Sequence, residues 1–318
     1  MRVFVTLFVL FAAAAAHAQS WPAKPVSLVV SAAAGSSVDI PARLVAERLK
    51  ERIGQPVVVE NRPQAGGTVA AAQVAKAVPD GHTLLWAFNG PIANAPYLYS
   101  KLPYDPQKEL APVVQTTGQP FVLGVPVSIG VGSVKELIEL VRRNPGKFNY
   151  SSLGNGSGTH LTMELFKSQA KLFLVHIPYN GGPAAAGAVA TGEVHASFMP
   201  AALFLPHVQA GRVKLLAVSS ARRFELLPEL PSIAEAGFSG FDSDGWNGIL
   251  APAGTPREIV LRLNREVNEI LQVPEVKERL ARSMIRIDGG SPERFAELIR
   301  SEAVRWSAVI RSVGVKID

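Results

Sequence analysis

Val26-Ser27-Leu28-Val29-Val30, then Ser31-Ala32-Ala33-Ala34-Gly35-Ser36-Ser37, then the segment opened by Asp39 decide how this chain is read. The first is a short apolar run, the pattern of a buried strand. The second is a loop of small residues. In the third, Ile40, Leu44, Val45, Leu49 and Ile53 recur at helical spacing, and Gly54 supplies a C-terminal stop. The unit then repeats. Val57-Val58-Val59 reads as a strand, Gly66-Gly67 leads into an Ala-rich helix from Thr68 to Ala77, and Pro79-Asp80-Gly81 makes a turn before a third strand, Thr83 to Phe88. Strands alternating with helices in this way predict a parallel sheet with helical crossovers.

A second unit of the same kind begins at Phe121-Val122-Leu123-Gly124-Val125. Helices are predicted over 133–142, 160–168, 183–190 and 201–210, and strands over 148–151, 174–177, 194–198 and 213–219. The tail carries three helical patterns, 256–271, 274–282 and 292–313; in the last, Phe295, Leu298, Ile299, Trp306, Val309 and Ile310 share one face. No Pro/Gly/Ser-rich tether separates the units. The expected fold is α/β, a two-lobed clamshell in which each lobe is a mainly parallel sheet flanked by helices. The tail helices have no sheet of their own and must cover one already formed. Residues 22–120 plus 247–318 are therefore expected to form one lobe and 121–246 the other. A ligand would lie between them, outside the carboxyl ends of the strands.

The N-terminus is different in kind. Met1-Arg2 is followed by Val3 to Ala16, apolar except for Thr6, and Ala16-His17-Ala18 gives a small-x-small pattern. This predicts a signal peptide over 1–18, cleaved after Ala18. The run is shorter than the roughly 20 residues a membrane span needs. The 318 residues include no cysteine, which excludes disulfides, thiol catalysis and zinc-thiolate or iron–sulfur sites. An exported chain of this length can be stabilised by its core alone. The net charge of +6 is dispersed, without the clustered Lys and Arg that nucleic acid would require, and suits attraction of small anions.

Enzyme signatures are missing. His82, His160, His176, His195 and His207 show no metal-ligand spacing. Gly154-Asn155-Gly156-Ser157-Gly158-Thr159 misplaces the serine of a nucleophile elbow and fails the dinucleotide fingerprint, because position 159 is Thr. No catalytic residue, metal or cofactor is expected.

Two loops share one design. Gly35-Ser36-Ser37 and Gly154 to Thr159 each follow a strand and precede a helix. Glycine lets main-chain N–H groups approach a ligand, the helix N-terminus favours anions, and hydroxyls add donors. One loop per lobe could grip the two ends of a dicarboxylate; equally, both are what well-capped strand-to-helix turns look like. Asp39 is either a helix cap or a ligand contact. His160 is a cap or an extra donor. Asn89 and Tyr179 sit just past strand ends, as turn or packing residues or as cleft residues. Trp246 is expected as a hinge or core aromatic. Gly156→Val is expected to fill the space through which the ligand approaches.

The sequence also resembles the Bug family, the periplasmic solute receptors of tripartite tricarboxylate transporters, over nearly the whole mature chain. The resemblance is carried by Trp21-Pro22-Ala23-Lys24-Pro25, by Gly54-Gln55-Pro56-Val57-Val58-Val59-Glu60-Asn61-Arg62-Pro63, and by Pro79-Asp80-Gly81-His82-Thr83-Leu84-Leu85. Leu102-Pro103-Tyr104-Asp105-Pro106, Gly154-Asn155-Gly156-Ser157, Pro231 to Gly237 and Leu250 to Pro256 complete it. It implies a two-lobed periplasmic protein, here expected as a monomer, that closes on a small organic acid and delivers it to membrane permease subunits. The implied ligand loops are Gly35 to Asp39 and Gly154 to Thr159. Ala32, Gly35-Ser36, Asn180 and His195 depart from the family's usual aromatic, Gly-Gly, Lys and acidic residues, which admits a larger or less charged solute, an aromatic one included. The readings set against this one are an exported hydrolase with scattered catalytic groups and a solute receptor that feeds a membrane sensor.

Overall fold

The computed structural model describes residues 21–179 and 181–317. The expected signal peptide and Asn180 lie outside the described residues. The chain opens with β1 (Val26–Val30), α1 (Asp39–Ile53), β2 (Val57–Asn61), α2 (Thr68–Ala75) and β3 (Thr83–Phe88). A π-turn at Gly90–Asn94 and the short helix α3 (Ala95–Leu98) lead to β4 (Leu110–Pro126), a strand of 17 residues. The second unit runs α4 (Val134–Arg143), β5 (Asn149–Ser152), α5 (Gly158–Ala170), β6 (Val175–Pro178), α6 (Gly182–Thr191), β7 (Ala196–Pro200), α7 (Ala201–Gln209) and β8 (Val213–Val218). The return passes through β9 (Asp244–Pro252), α8 (Arg257–Leu271), α9 (Pro274–Arg282), β10 (Arg286–Ile287) and α10 (Pro292–Val313).

The strands form one curled mixed sheet in the order β2-β1-β3-β9-β4-β7-β5-β6, with β8 and β10 also on β4. The parallel triplets β2-β1-β3 and β7-β5-β6 are those the strand-helix repeats predict. The inner strand β1 of the first triplet is apolar and largely buried, as parallel sheets require, whereas the edge strands β2 and β6 are part-exposed. The middle is antiparallel. β4 pairs with β9 from Leu110↔Pro252 to Pro120↔Asp244, then continues against β7 and β8 from Phe121 onward. One strand thus belongs to both lobes.

Alternation along the strands separates the core into layers. In β1, Val26, Leu28 and Val30 pack on the side of α1, α8 and α9, and Val29 on the side of α2 and α10. Leu84 and Trp86 of β3 join the first layer, Leu85 and Ala87 the second. In the other lobe, Leu123, Val125 and Phe198 pack with α4 and α5, while Val122 and Met199 face α6 and α7. A further cluster, Leu98, Leu161, Trp306 and Ile310, lets α10 touch α5 as well as its own lobe.

Candidate functional site

After β1 the chain turns through Ser31 to Val38 into α1. The helix has no side-chain cap at Val38. The first N–H of the helix, that of Asp39, is instead accepted by Ser36 Oγ at 3.3 Å, and the Asp39 side chain, 1% exposed, braces the loop before it. Its Oδ2 accepts from the Gly35 N–H at 2.8 Å and from Arg43 Nε at 2.9 Å, and its Oδ1 accepts from Asn61 Nδ2 at 2.8 Å. Burial opposes ionisation of this carboxyl, but the hydrogen bonds from Arg43, Asn61 and Gly35 outweigh it and hold the pKa below its ordinary value.

The second loop is braced from within. Ser157 caps α5, accepting from the His160 N–H at 3.2 Å and donating to the Gly154 carbonyl at 2.7 Å. The Leu153 N–H donates to Thr159 Oγ1 at 2.9 Å, and the Gly156 N–H to His160 Nδ1 at 3.0 Å. The His160 ring stacks on His176, centroids 4.0 Å apart, and Tyr150 stacks on both, 4.8 Å from His176 and 6.3 Å from His160. His176 Nε2 in turn meets Ser152 Oγ at 2.6 Å. Burial first, and His176 beside it second, push the His160 pKa down to about 4, so its Nδ1 stays free to accept.

Both loops open onto one cavity of about 510 Å³. Ser36, Ser37, Asn89, Gly154, Asn155, Gly156, Ser157, Gly158 and Thr159 line it. Gly35, Asp39 and His160 do not; they stand one layer back and fix the residues that do. Tyr179 stands apart from the lining, its hydroxyl donating to Glu193 Oε1 at 2.7 Å. Ala32, noted in the sequence as a departure from the family pattern, lines it too, while Phe88, Leu98, Tyr99, Gln119, Phe121, Asn247 and Ile317 among others carry no such mark in the sequence. Trp246, read as a hinge or core aromatic, also faces the cavity. Phe88 was within reach of the strand-end argument that found Asn89. Gln119 and Phe121 carried no such signal, because they lie midway along β4.

Among the described residues, the lining includes no Asp, Glu, Lys, Arg or His side chain. Donors are nevertheless available. Among the described residues, the main-chain N–H groups of Ser37, Val38, Gly158 and Thr159 have no acceptor. The Asn89 side chain is 2% exposed and its Nδ2 has no partner. Gln119 Nε2 donates across to Ser37 Oγ at 2.9 Å, tying the middle of β4 to the first loop. An uncharged wall with unused N–H groups at two helix N-termini is a setting for an anion held by dipoles rather than by counter-charge. Among the described residues, no group of three His, Asp or Glu is placed to hold a metal, and no helix is long and apolar enough to cross a membrane.

Fold and site together define a solute-binding receptor of the clamshell kind. The family model of the tripartite tricarboxylate transporter family receptor matches residues 41–315, and the chain belongs to that family, the one its motifs resemble. A Pseudomonas sp. (strain P51) protein from the tcbD-tcbE intergenic region is 38% identical over 92% of this chain and 87% of its own length. The solved structure of R. palustris Rpa4515 with adipate superposes with a TM-score of 0.85 at 35% identity, covering 93% of this chain and 99% of that one. MatC from Rhodopseudomonas palustris, with bound malate, superposes with a TM-score of 0.81 at 31% identity over 91% of this chain and 100% of that one. The family is one of solute-binding receptors, and these two relatives carry carboxylates.

Proposed function

We propose that this chain is exported to the periplasm, with cleavage after Ala18, and captures a small organic acid between its lobes for delivery to the permease subunits of a tripartite tricarboxylate-type transporter. It acts as a monomeric receptor and not as an enzyme. In this reading the lobes are 22–120 plus 247–318 and 121–246. The acid is held by the lining residues Ser36, Ser37, Asn89 and Gly154 to Thr159, while Gly35, Asp39 and His160 support them. The observation that carries the reading is the convergence of unused main-chain donors and the unpartnered Asn89 amide on one cavity whose lining, among the described residues, holds no charged side chain. The adipate and malate bound to the two relatives support the same ligand class.

The test is thermal unfolding and calorimetric titration of the mature protein against organic acids, with the acid followed by NMR for conversion. A true ligand at 100 times its Kd adds about 2.7 kcal/mol to stability. Stabilisation without turnover is the expected result. Chemical conversion of the acid, or no stabilisation by any acid, overturns the proposal. Uptake of the bound acid by cells that carry the permease, lost when this chain is deleted, tests delivery.

A further inference from the structure

Resting on that receptor reading, we infer that the acid is an aryl monocarboxylate: one anionic end at the start of α5 and an aromatic body among the rings of the cavity. The two helix starts that face the cavity are not equivalent. In α1 the protein's own anion, Asp39, already sits in the first turn, buried and paired with Arg43. That end of the site has its dipole met from inside and gains little from a second anion. The first turn of α5 contains no acidic residue, and the Gly158 and Thr159 N–H groups are unused. Asn89 stands beside it, its Oδ1 about one contact distance from a Cβ built on Gly158, and its buried Nδ2 has no acceptor. These groups make one corner for one carboxylate.

Away from that corner aromatic rings make up much of the wall, between the neutral polar side chains of Ser36, Ser37, Thr68, Gln119 and Asn247. Phe88, the residue before Asn89, lines the cavity, and the Phe121 ring lies against both Gly158 and Gly245. Trp246 lines it too, held edge-on by Phe295 with centroids 5.2 Å apart. Tyr99 closes a further side, its hydroxyl bonded to the Ala65 carbonyl at 3.1 Å. Rings favour a ring partner in offset or edge-on contact beyond simple area burial. A second carboxylate or a row of hydroxyls would be carried into this volume without cationic partners, which is costly. The volume itself, about 510 Å³, lies in the range of roughly 300–1,000 Å³ that holds ligands larger than a four-carbon acid.

The probes are benzoate, phenylacetate and 3-phenylpropionate, set against malate and adipate, and against benzamide as the uncharged isostere. Calorimetric titration is expected to rank at least one aryl acid tenfold or more above malate and adipate, with benzamide at least tenfold below benzoate. Phe88→Leu, which keeps apolar bulk and removes the ring, is expected to weaken the aryl acid several-fold while circular dichroism and the melting midpoint stay near wild type. Asn89→Asp is expected to weaken every acid by more than tenfold. Tighter binding of malate or adipate than of any aryl acid overturns this inference and leaves the receptor reading standing. Absence of binding by every acid in the set overturns both.

Discussion

At the scale of the residue, His160 is the side chain on which the second loop depends. Its Nδ1 accepts the Gly156 N–H only while the ring is neutral. Its folded pKa of about 4 lies below the ordinary 6.5, so the unfolded chain takes up a proton that the folded one refuses. Stability is therefore fully present above about pH 6.5, falls as the pH is lowered towards 4, and levels off below; this one group contributes about 3 kcal/mol to that loss. His176, Glu164, Lys167 and Tyr150 are the titratable groups that face it. His160→Gln, which can still accept from Gly156, is expected to flatten the profile. Urea unfolding at pH 7, 5.5 and 4 checks this, and an unchanged slope in the variant would remove His160 as its source. Gly156→Val behaves differently from the sequence expectation. A Cβ there falls 2.3 Å from Ile317 Cδ1 and 2.8 Å from Leu98 Cδ1, and φ is +71°. The space belongs to the protein, not to the approaching ligand, so the variant is expected to lower the melting midpoint as well as affinity. The loop was legible in the sequence because glycine, hydroxyl and helix start are contiguous. Asp39 as an internal brace was not, since its partner Asn61 comes from β2, 22 residues on.

At the scale of the element, α5 and α10 make the clearest predictions. Ser157→Ala removes the cap of α5 and the bond to Gly154, and is expected to cost about 1 kcal/mol. Because that hydroxyl is engaged within the loop, Ser157→Thr should restore both stability and affinity, whereas a hydroxyl that touched ligand directly would tolerate the extra methyl badly. Melting and titration of the two variants separate these cases. Trp306, on α10, packs with Leu98, Leu161 and Ile310 and donates through Nε1 to the buried Glu302 at 2.8 Å. Trp306→Ala is expected to cost about 3–5 kcal/mol and to loosen α10 from α5, measured by denaturant unfolding. Most elements could be read from the sequence, because β1 and β3 are short continuous apolar runs and helices such as α1, α4 and α8 carry a clean 3.6-residue period. The first half of β4 and all of β9 could not. Their stretches Thr116-Thr117-Gly118-Gln119-Pro120 and Asp244-Gly245-Trp246-Asn247-Gly248 mix polar residues and glycine, and are strands only because each has the other as partner. Gly248 shows how tertiary packing sets the choice: a Cβ there would come 2.2 Å from the Phe295 ring.

At the scale of the whole molecule, the lobes are joined by β4 and β9 hydrogen-bonded to one another up to Pro120↔Asp244. Arg286 stiffens the junction through Asp244 Oδ2 at 3.1 Å and Asp288 Oδ1 at 2.8 Å. Arg286→Ala leaves two carboxylates without their cation in a part-buried site, and is expected to destabilise the protein by about 3 kcal/mol or more, with a lowered melting midpoint as the readout. A bonded pair of strands is a strip: it flexes easily out of its plane and hardly shears within it. Opening and closing then reduce to one angle, and one ruler across the molecule suffices to follow it. The sheet provides natural ends for that ruler, since β2 and β6 are its two edges. Val58 on β2 and Phe173, just before β6, are both exposed, and the chain has no cysteine of its own. Val58→Cys with Phe173→Cys can therefore carry a donor and acceptor dye without background labelling, and the distance between them becomes a direct gauge of whether the shell is empty or filled.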